Sequence, residues 1–260
     1  MIFDRHDQAR RASEPAGDGA SPDPGRGARV VVTGPQGPGC LIDIQEPGPA
    51  AKIRVAIEAS APLPNVSVRI GRIERGTLIV AIREGNAALL IGNSRLFNGR
   101  VTLCRDSSVT IGTATTVQHA SIVARFGDVA VGEDCMIAGS VNIDASRHHS
   151  VIDLAGNKPM VIGERPYVRI GNHVWVGMFS LVLNHAQIGD GSIVGAASVA
   201  TGRYPSRVAI GGNPARVLRE NVTWSRLPEG IDEATSDFIA ASPDYSEDQN
   251  RASSHSNTSI

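Results

Sequence analysis

The chain has 260 residues with a formal net charge of -1, and no Lys/Arg stripe supplies the clustered positive field that a nucleic-acid partner needs. Only 4% of residues are aromatic while 28 are glycine, which suits a narrow prism filled by aliphatic side chains and turned at tight corners rather than a broad globular core. No apolar run is long enough to predict a membrane span.

From Met1 to Gly27 the chain is rich in Gly, Pro, Asp and Arg and lacks the apolar core of a signal peptide, so residues 1–27 are predicted to be a disordered tail. Residues 28–96 hold β-rich pieces, Arg29 to Val32, Cys40 to Ile44, Val66 to Ile70 and Leu78 to Ile82, separated by Gly and Pro. They read either as irregular early coils or as a small β cap that protects an open end from edge pairing.

From residue 97 a period of six emerges. Ile111, Val117 and Val123 are followed four places later by Thr115, Ser121 and Gly127, and Val131, Ile137 and Ile143 by Cys135, Val141 and Arg147. Ile170, Val176, Val182, Ile188 and Val194 then pair in the same way with Val174, Ser180, Ala186, Ser192 and Ser198. Six matches neither the 3.6 period of a helix nor a long run of simple alternation, so the pattern predicts short strands stacked into a solenoid. Aliphatic residues should point inward and small ones make the corners. The glycines directly after the aliphatics, such as Gly112, Gly132, Gly171 and Gly189, read as sharp turns. A solenoid grows by stacking, so residues 97–228 are expected to form one domain with no second core.

The repeat breaks after Ile143 and resumes at Ile170. The loop 147–169 holds Arg147, His148, His149, Asp153, Lys158, Glu164 and Arg165, and an excursion from a regular solenoid is where chemistry is expected. After the last hexad, Arg216 and Arg219 lie in a stretch that reads as helix-like behind Pro214, and residues 229–260 are polar enough to predict a disordered tail. Cys40, Cys104 and Cys135 show neither paired nor metal-type spacing, which fits a reducing, cytoplasmic location. Cys135 reads as a small buried hydrophobe.

The blocks Val131-Gly-Glu-Asp-Cys-Met136, His149-Ser-Val-Ile-Asp153, Ile170-Gly-Asn-His-Val-Trp175, Gly212-Asn-Pro-Ala-Arg216 and Asn221-Val-Thr-Trp224 follow one another in order. Through them residues 101–224 resemble the hexapeptide-repeat acyltransferases, nearest to those that acetylate sugars and polysaccharides. The resemblance implies an all-β, left-handed parallel β-helix with a short C-terminal helix, assembled as a homotrimer with active sites between subunits. It implies acetyl-CoA as co-substrate and no metal.

It also implies His149 as the catalytic general base, since a neutral imidazole suits removal of a hydroxyl proton near neutral pH. Arg147, His148, Asp153 and Trp175 are the implied substrate-binding residues, Trp175 having a subunit interface as its alternative place. The family's usual Asp two residues before the histidine is Arg147 here, leaving Asp144 or Asp153 to orient the ring. Because neighbours in an extended segment face opposite ways, only one of His148 and His149 is expected to address a given cleft. Val161-Ile-Gly-Glu-Arg-Pro166 looks like an extra hexad-length insertion, either a lid over the acceptor or a bulge. For the donor, the implied groove residues are Gly177, Gly195, Ala196, Ala197 and Ser198, with Arg203, Arg216 and Arg219 meeting the phosphates of coenzyme A.

Competing readings stay open at this level. N-acetylation of an amino sugar or xenobiotic uses the same parts. A metalloenzyme of carbonic-anhydrase type needs three spaced ligands, which His119, His148, His149, His173 and His185 do not offer at the expected five-residue separation. A catalytically silent scaffold is the third.

Overall fold

Each hexad builds one corner of a coil. In the computed structural model, which describes residues 29–159 and 165–241, Ile170, Val176, Val182, Ile188 and Val194 all point into the core. Three residues after each aliphatic the backbone turns left-handed: Ala114, Asp134, Ser140, His173, Phe179 and Ala197 have φ between 50 and 62°. The next residue, such as Thr115, Cys135, Ser180, Ser192 or Ser198, lies fully buried beneath the turn. The small residues thus fill the corners from inside, while the residue before them makes the bend.

The glycines serve a different purpose from the one their position suggests. A Cβ on Gly132 would stand 2.5 Å from the Gly171 carbonyl oxygen, and one on Gly177 would stand 2.7 Å from the Ala196 amide nitrogen. Neither has a positive φ. The adjoining coil passes too close to admit a side chain, so stacking distance, not turning, demands glycine there.

The coils share three faces. The first is a stack of eight parallel strands running from Cys40–Ile44 through Asp128–Val131, Tyr167–Ile170 and Gln187–Ile188 to Arg203–Tyr204. The other side of the early coils is made of long strands. Thr116–Arg125 pairs through its front half with Met136–Ile137 and through its back half with Val141–Ser146, so this side divides into two. The second face continues through Trp175–Val176, Ile193–Val194 and Val208–Gly212, and the third through Leu181–Val182 and Val199–Ala200.

Four stretches correct or complete the expectations. Residues from Val30 to Ile91 are coils of the same solenoid: Ala50–Ile57 pairs with Arg75–Ile82 in parallel over eight positions. Within Thr116–Arg125 the hexad slips by one, because His119 takes the left-handed turn two residues after Val117; Ile122 and Ala124 face inward and Val123 does not. The segment after Pro214 is a strand, Ala215–Glu220, folded back antiparallel to Val208–Gly212, not a helix. The short helix lies instead at Glu233–Ala240, inside the stretch read as a tail, with Asp232 as N-cap accepting from the Thr235 amide at 2.9 Å.

The expected tails at 1–27 and beyond 241 lie outside the described residues, as does most of the 161–166 insertion. No described helix is long and apolar enough to cross a membrane.

Candidate active site

The largest constellation of predicted residues lies on the second face. In a strand the residue after an inward aliphatic points outward, so Ala138, Gly177, Gly195 and Gly211, which follow the buried Ile137, Val176, Val194 and Ile210, make a floor of slim residues across successive coils. Beside this row runs a second one, Met136, Trp175 and Ile193. All of these except Gly211, which lies against Leu218, line a cleft of about 930 Å³, which also takes in Ala196. Trp175 is 37% exposed, so its ring is presented to the cleft and not spent on the core.

Arg216 and Arg219 extend the same face. They sit opposite Gly211 and Ala209 on the folded-back strand, one coil beyond the residues that line the cleft. Two guanidiniums next to a floor without side chains are suited to a ligand with a slender arm and a phosphorylated head.

Three predicted donor-site residues lie elsewhere. Ser198 is fully buried, and its hydroxyl donates to the Gly195 carbonyl at 2.6 Å and accepts from the Gly212 amide at 3.2 Å. It fastens one coil corner to the next and does not face a ligand. Arg203 stands on the first face, where with Arg165, Tyr167, Arg169 and Gln187 it rims a separate hollow of about 290 Å³. Hydrogen bonds from Gln187, at 2.6 Å, and from Arg203 draw the Tyr167 phenol below its ordinary value. Ala197 is exposed at the corner next to Phe179, outside the cleft lining.

The histidine loop leaves from the third face. Val141–Ser146 ends at a corner, and the exposed Arg147, His148 and His149 follow it. The two imidazoles stand 6.4 Å apart, tilted by 47°, so backbone alternation does not send them to opposite sides. Asp153 accepts from the Ala155 amide at 3.0 Å, and Asp144 accepts from the Ser146 hydroxyl. Both carboxylates thus have local roles. Ile152–Asp153 and Lys158–Pro159 close the loop as a small hairpin that carries the 90% exposed Leu154. His149 and Trp175 are separated within the chain by the width of the third face.

The outer wall of the cleft was not foreseen. Arg226, Leu227, Asp232, Glu233 and Ala234 line it, all from the segment following Trp224. Arg226 donates to Asp134 Oδ1 at 2.8 Å and to the Thr116 hydroxyl at 3.0 Å. Asp134 also meets the Nδ1 of His173 at 2.7 Å. Burial pushes the Asp134 carboxyl up, but the hydrogen bonds and charges of His173 and Arg226 outweigh it and hold the group below its ordinary value. The sequence did carry a signal: Asp134 and His173 each lie three places after the aliphatic of their hexad, Val131 and Ile170. Counting hexads across the loop puts them on one corner.

Comparison with known proteins agrees with the repeat and the fold. Residues 167–202 match the family described as Bacterial transferase hexapeptide (six repeats). The chain is 32% identical over 135 residues to a polysialic acid O-acetyltransferase of Escherichia coli O1:K1 / APEC, covering 52% of this chain and 43% of that one. It is 34% identical over 92 residues to the galactoside O-acetyltransferase of Escherichia coli (strain K12), covering 35% and 44%. The chain thus spans less than half the length of these curated relatives. The crystal structure of the polySia-specific acetyltransferase NeuO superposes with a TM-score of 0.70 at 27% identity, over 81% of this chain and 96% of that one. Sequence repeat and fold alike are those of the hexapeptide-repeat β-helix proteins.

Proposed function

We propose that this hexapeptide-repeat chain is an acetyltransferase that moves the acetyl group of acetyl-CoA to a hydroxyl of a sugar or polysaccharide by direct transfer. The observation that carries the reading is the second-face cleft, with a floor of Gly195, Gly177 and Ala138 and Trp175 beside it, and with Arg216 and Arg219 one coil beyond it on the same face. In this reading the phosphates of coenzyme A meet the two arginines and the pantetheine arm lies on the glycines. The saccharide acceptor is taken from the relatives, two of which are named for acetylation of polysialic acid and galactosides.

His149 is the general base of the proposal. Its imidazole takes the proton of the acceptor hydroxyl as that oxygen attacks the thioester carbonyl. Collapse of the tetrahedral adduct breaks the C–S bond, and the proton leaves with the coenzyme A thiolate. Holding both substrates in one cleft supplies much of the rate. Because His149 and Trp175 stand a face apart in one chain, the reading has the base of one copy meet the cleft of another, as in a homotrimer. Arg147, His148 and Asp153 then accompany His149 toward the acceptor. A donor of this kind and three unpaired cysteines support a cytoplasmic place of action.

Calorimetric titration with acetyl-CoA tests the donor site, and thiol release with saccharide acceptors tests the chemistry. Binding weakened by Arg216→Ala, together with turnover reduced about 10²- to 10⁴-fold by His149→Ala, is the expected result. Absence of binding in the wild type overturns the proposal.

A further inference from the structure

His173 is 2% exposed and is held at four points. Nδ1 lies 2.7 Å from Asp134 Oδ2, and Nε2 lies 3.0 Å from the Trp224 carbonyl oxygen. Trp224 stacks on one face of the ring at 4.6 Å and 13°, and Phe238 of the helix stacks at 4.7 Å and 21°. Neither oxygen brings a proton: one belongs to a carboxylate, the other to a peptide. A neutral imidazole has one N–H and one lone pair, so either tautomer would set a lone pair against an oxygen in a site closed to water. The Thr235 hydroxyl also donates to the Trp224 carbonyl, at 3.1 Å, but only the form with both nitrogens protonated sets a proton between each ring nitrogen and the oxygen it faces. Two aromatic faces also favour a cation between them.

The other charges around the ring agree with this. Asp134 shares its second oxygen with Arg226, whose guanidinium lies 5.2 Å from the Trp224 ring. Asp232 accepts from the Arg226 amide and the Ser225 hydroxyl. Glu133 neighbours Asp134, and Glu233 and Asp237 are exposed on the helix. Cys135 is a thiol, pushed up to about 11 by burial. Carboxylates therefore surround the two cations, and no third cation is among these groups.

We infer that His173 is a positioning residue that works as an imidazolium, clasping Asp134 to the Trp224 carbonyl and so seating the segment 224–241 whose residues form the outer wall of the cleft. It touches no ligand itself; it acts through Arg226, Leu227 and the start of the helix. The consequence for ligand affinity rests on the acetyltransferase reading, whereas the protonation state does not. Removing either of its two bonds loosens the wall.

The test has two arms on the 260-residue chain. Nitrogen-15 NMR of labelled histidine, with the His173 signals identified by their loss in His173→Gln, is expected to show two protonated ring nitrogens at pH 6. The signature should be absent in Asp134→Asn, whose shape is conserved while its charge is removed. A singly protonated ring in the folded wild type overturns the inference. In the second arm, coenzyme A affinity at one fixed pH is expected to be about tenfold weaker in His173→Gln than in the wild type. Equal affinity in the two proteins overturns the positioning role. Should His173→Gln not fold, the His173 signals are assigned through bonds from the backbone and the wild-type NMR still decides the clasp. Failure to bind coenzyme A at every pH refutes the acetyltransferase reading and leaves the NMR arm standing.

Discussion

Trp224 and His173 bind each other twice: the indole Nε1 donates to the His173 carbonyl at 2.8 Å, and the Trp224 carbonyl accepts from His173 Nε2 at 3.0 Å. This reciprocal pair joins a late segment to a corner 51 residues earlier in sequence. Trp224→Phe retains the stacking and removes the indole donor, leaving a buried carbonyl unpaired. A loss of about 1–3 kcal/mol is expected in urea unfolding, with earlier proteolytic cleavage between residues 226 and 232. Unchanged stability and unchanged cleavage would show that the pair contributes nothing.

Two glycines of the cleft floor separate stacking from ligand binding. A Cβ at Gly177 meets Ala196 N and Val194 O at 2.7 Å, both backbone atoms, so Gly177→Ala should destabilise by about 1–3 kcal/mol. At Gly195 the nearest atom is Ile210 O at 3.3 Å. Gly195→Ala should therefore melt within a few degrees of wild type while weakening acetyl-CoA binding, because the new methyl group faces the cleft. Thermal melts and calorimetry on the two variants distinguish the effects.

The three thiols should react in order of exposure. Burial pushes Cys135 up to about 11 and raises Cys104 and Cys40 in lesser degree. Cys40 alone is partly exposed. Iodoacetamide at pH 8, followed by mass spectrometry of the folded protein, should label Cys40 first and Cys135 last. Early labelling of Cys135 would mean that its coil opens readily.

Acid should release the C-terminal helix. Burial would raise the Asp232 carboxyl, but bonds from the Thr235 and Arg226 amides and the Ser225 and Thr235 hydroxyls hold it far below the ordinary range. A carboxyl depressed in the folded state stabilises fully above its unfolded value of about 3.9, and that contribution is lost as pH falls toward the folded value. Asp232→Ala should cost about 0.5–2 kcal/mol at pH 7, and the gap to wild type should narrow below about pH 4. Denaturant titrations across this range measure it; a gap that is constant with pH contradicts the capping role.

The solenoid was legible because its period is written in inward aliphatics, and Ile170 to Val194 read directly as coils. What a six-residue count misses is any place where one residue is gained or lost, as at His119, where Val123 turns outward. The site was legible where it follows the repeat: Trp175, Gly177, Gly195 and Ala196 meet on one face. Arg203 and Ser198 went astray because proximity in sequence does not say which of three faces a residue adorns. The stretch from residue 229 looked like a tail because its apolar content is small. Trp224 and Phe238 nevertheless suffice to dock it, since each stacks on a ring already placed in a corner.

The hairpin loop leaves at Ser146 and returns at Tyr167 without disturbing the register on either side: Asp128 pairs with Tyr167 and Ile143 with Val182. The return is clipped to the coils: Arg165 donates to Asp128 at 2.7 Å, and the Pro166 carbonyl accepts from the Asp128 amide at 3.0 Å. The stack is thus a spool with a cassette clipped into it. An engineer who keeps that clip can exchange residues 147–159 and retune the chemistry presented there while leaving the cleft on the second face as it is.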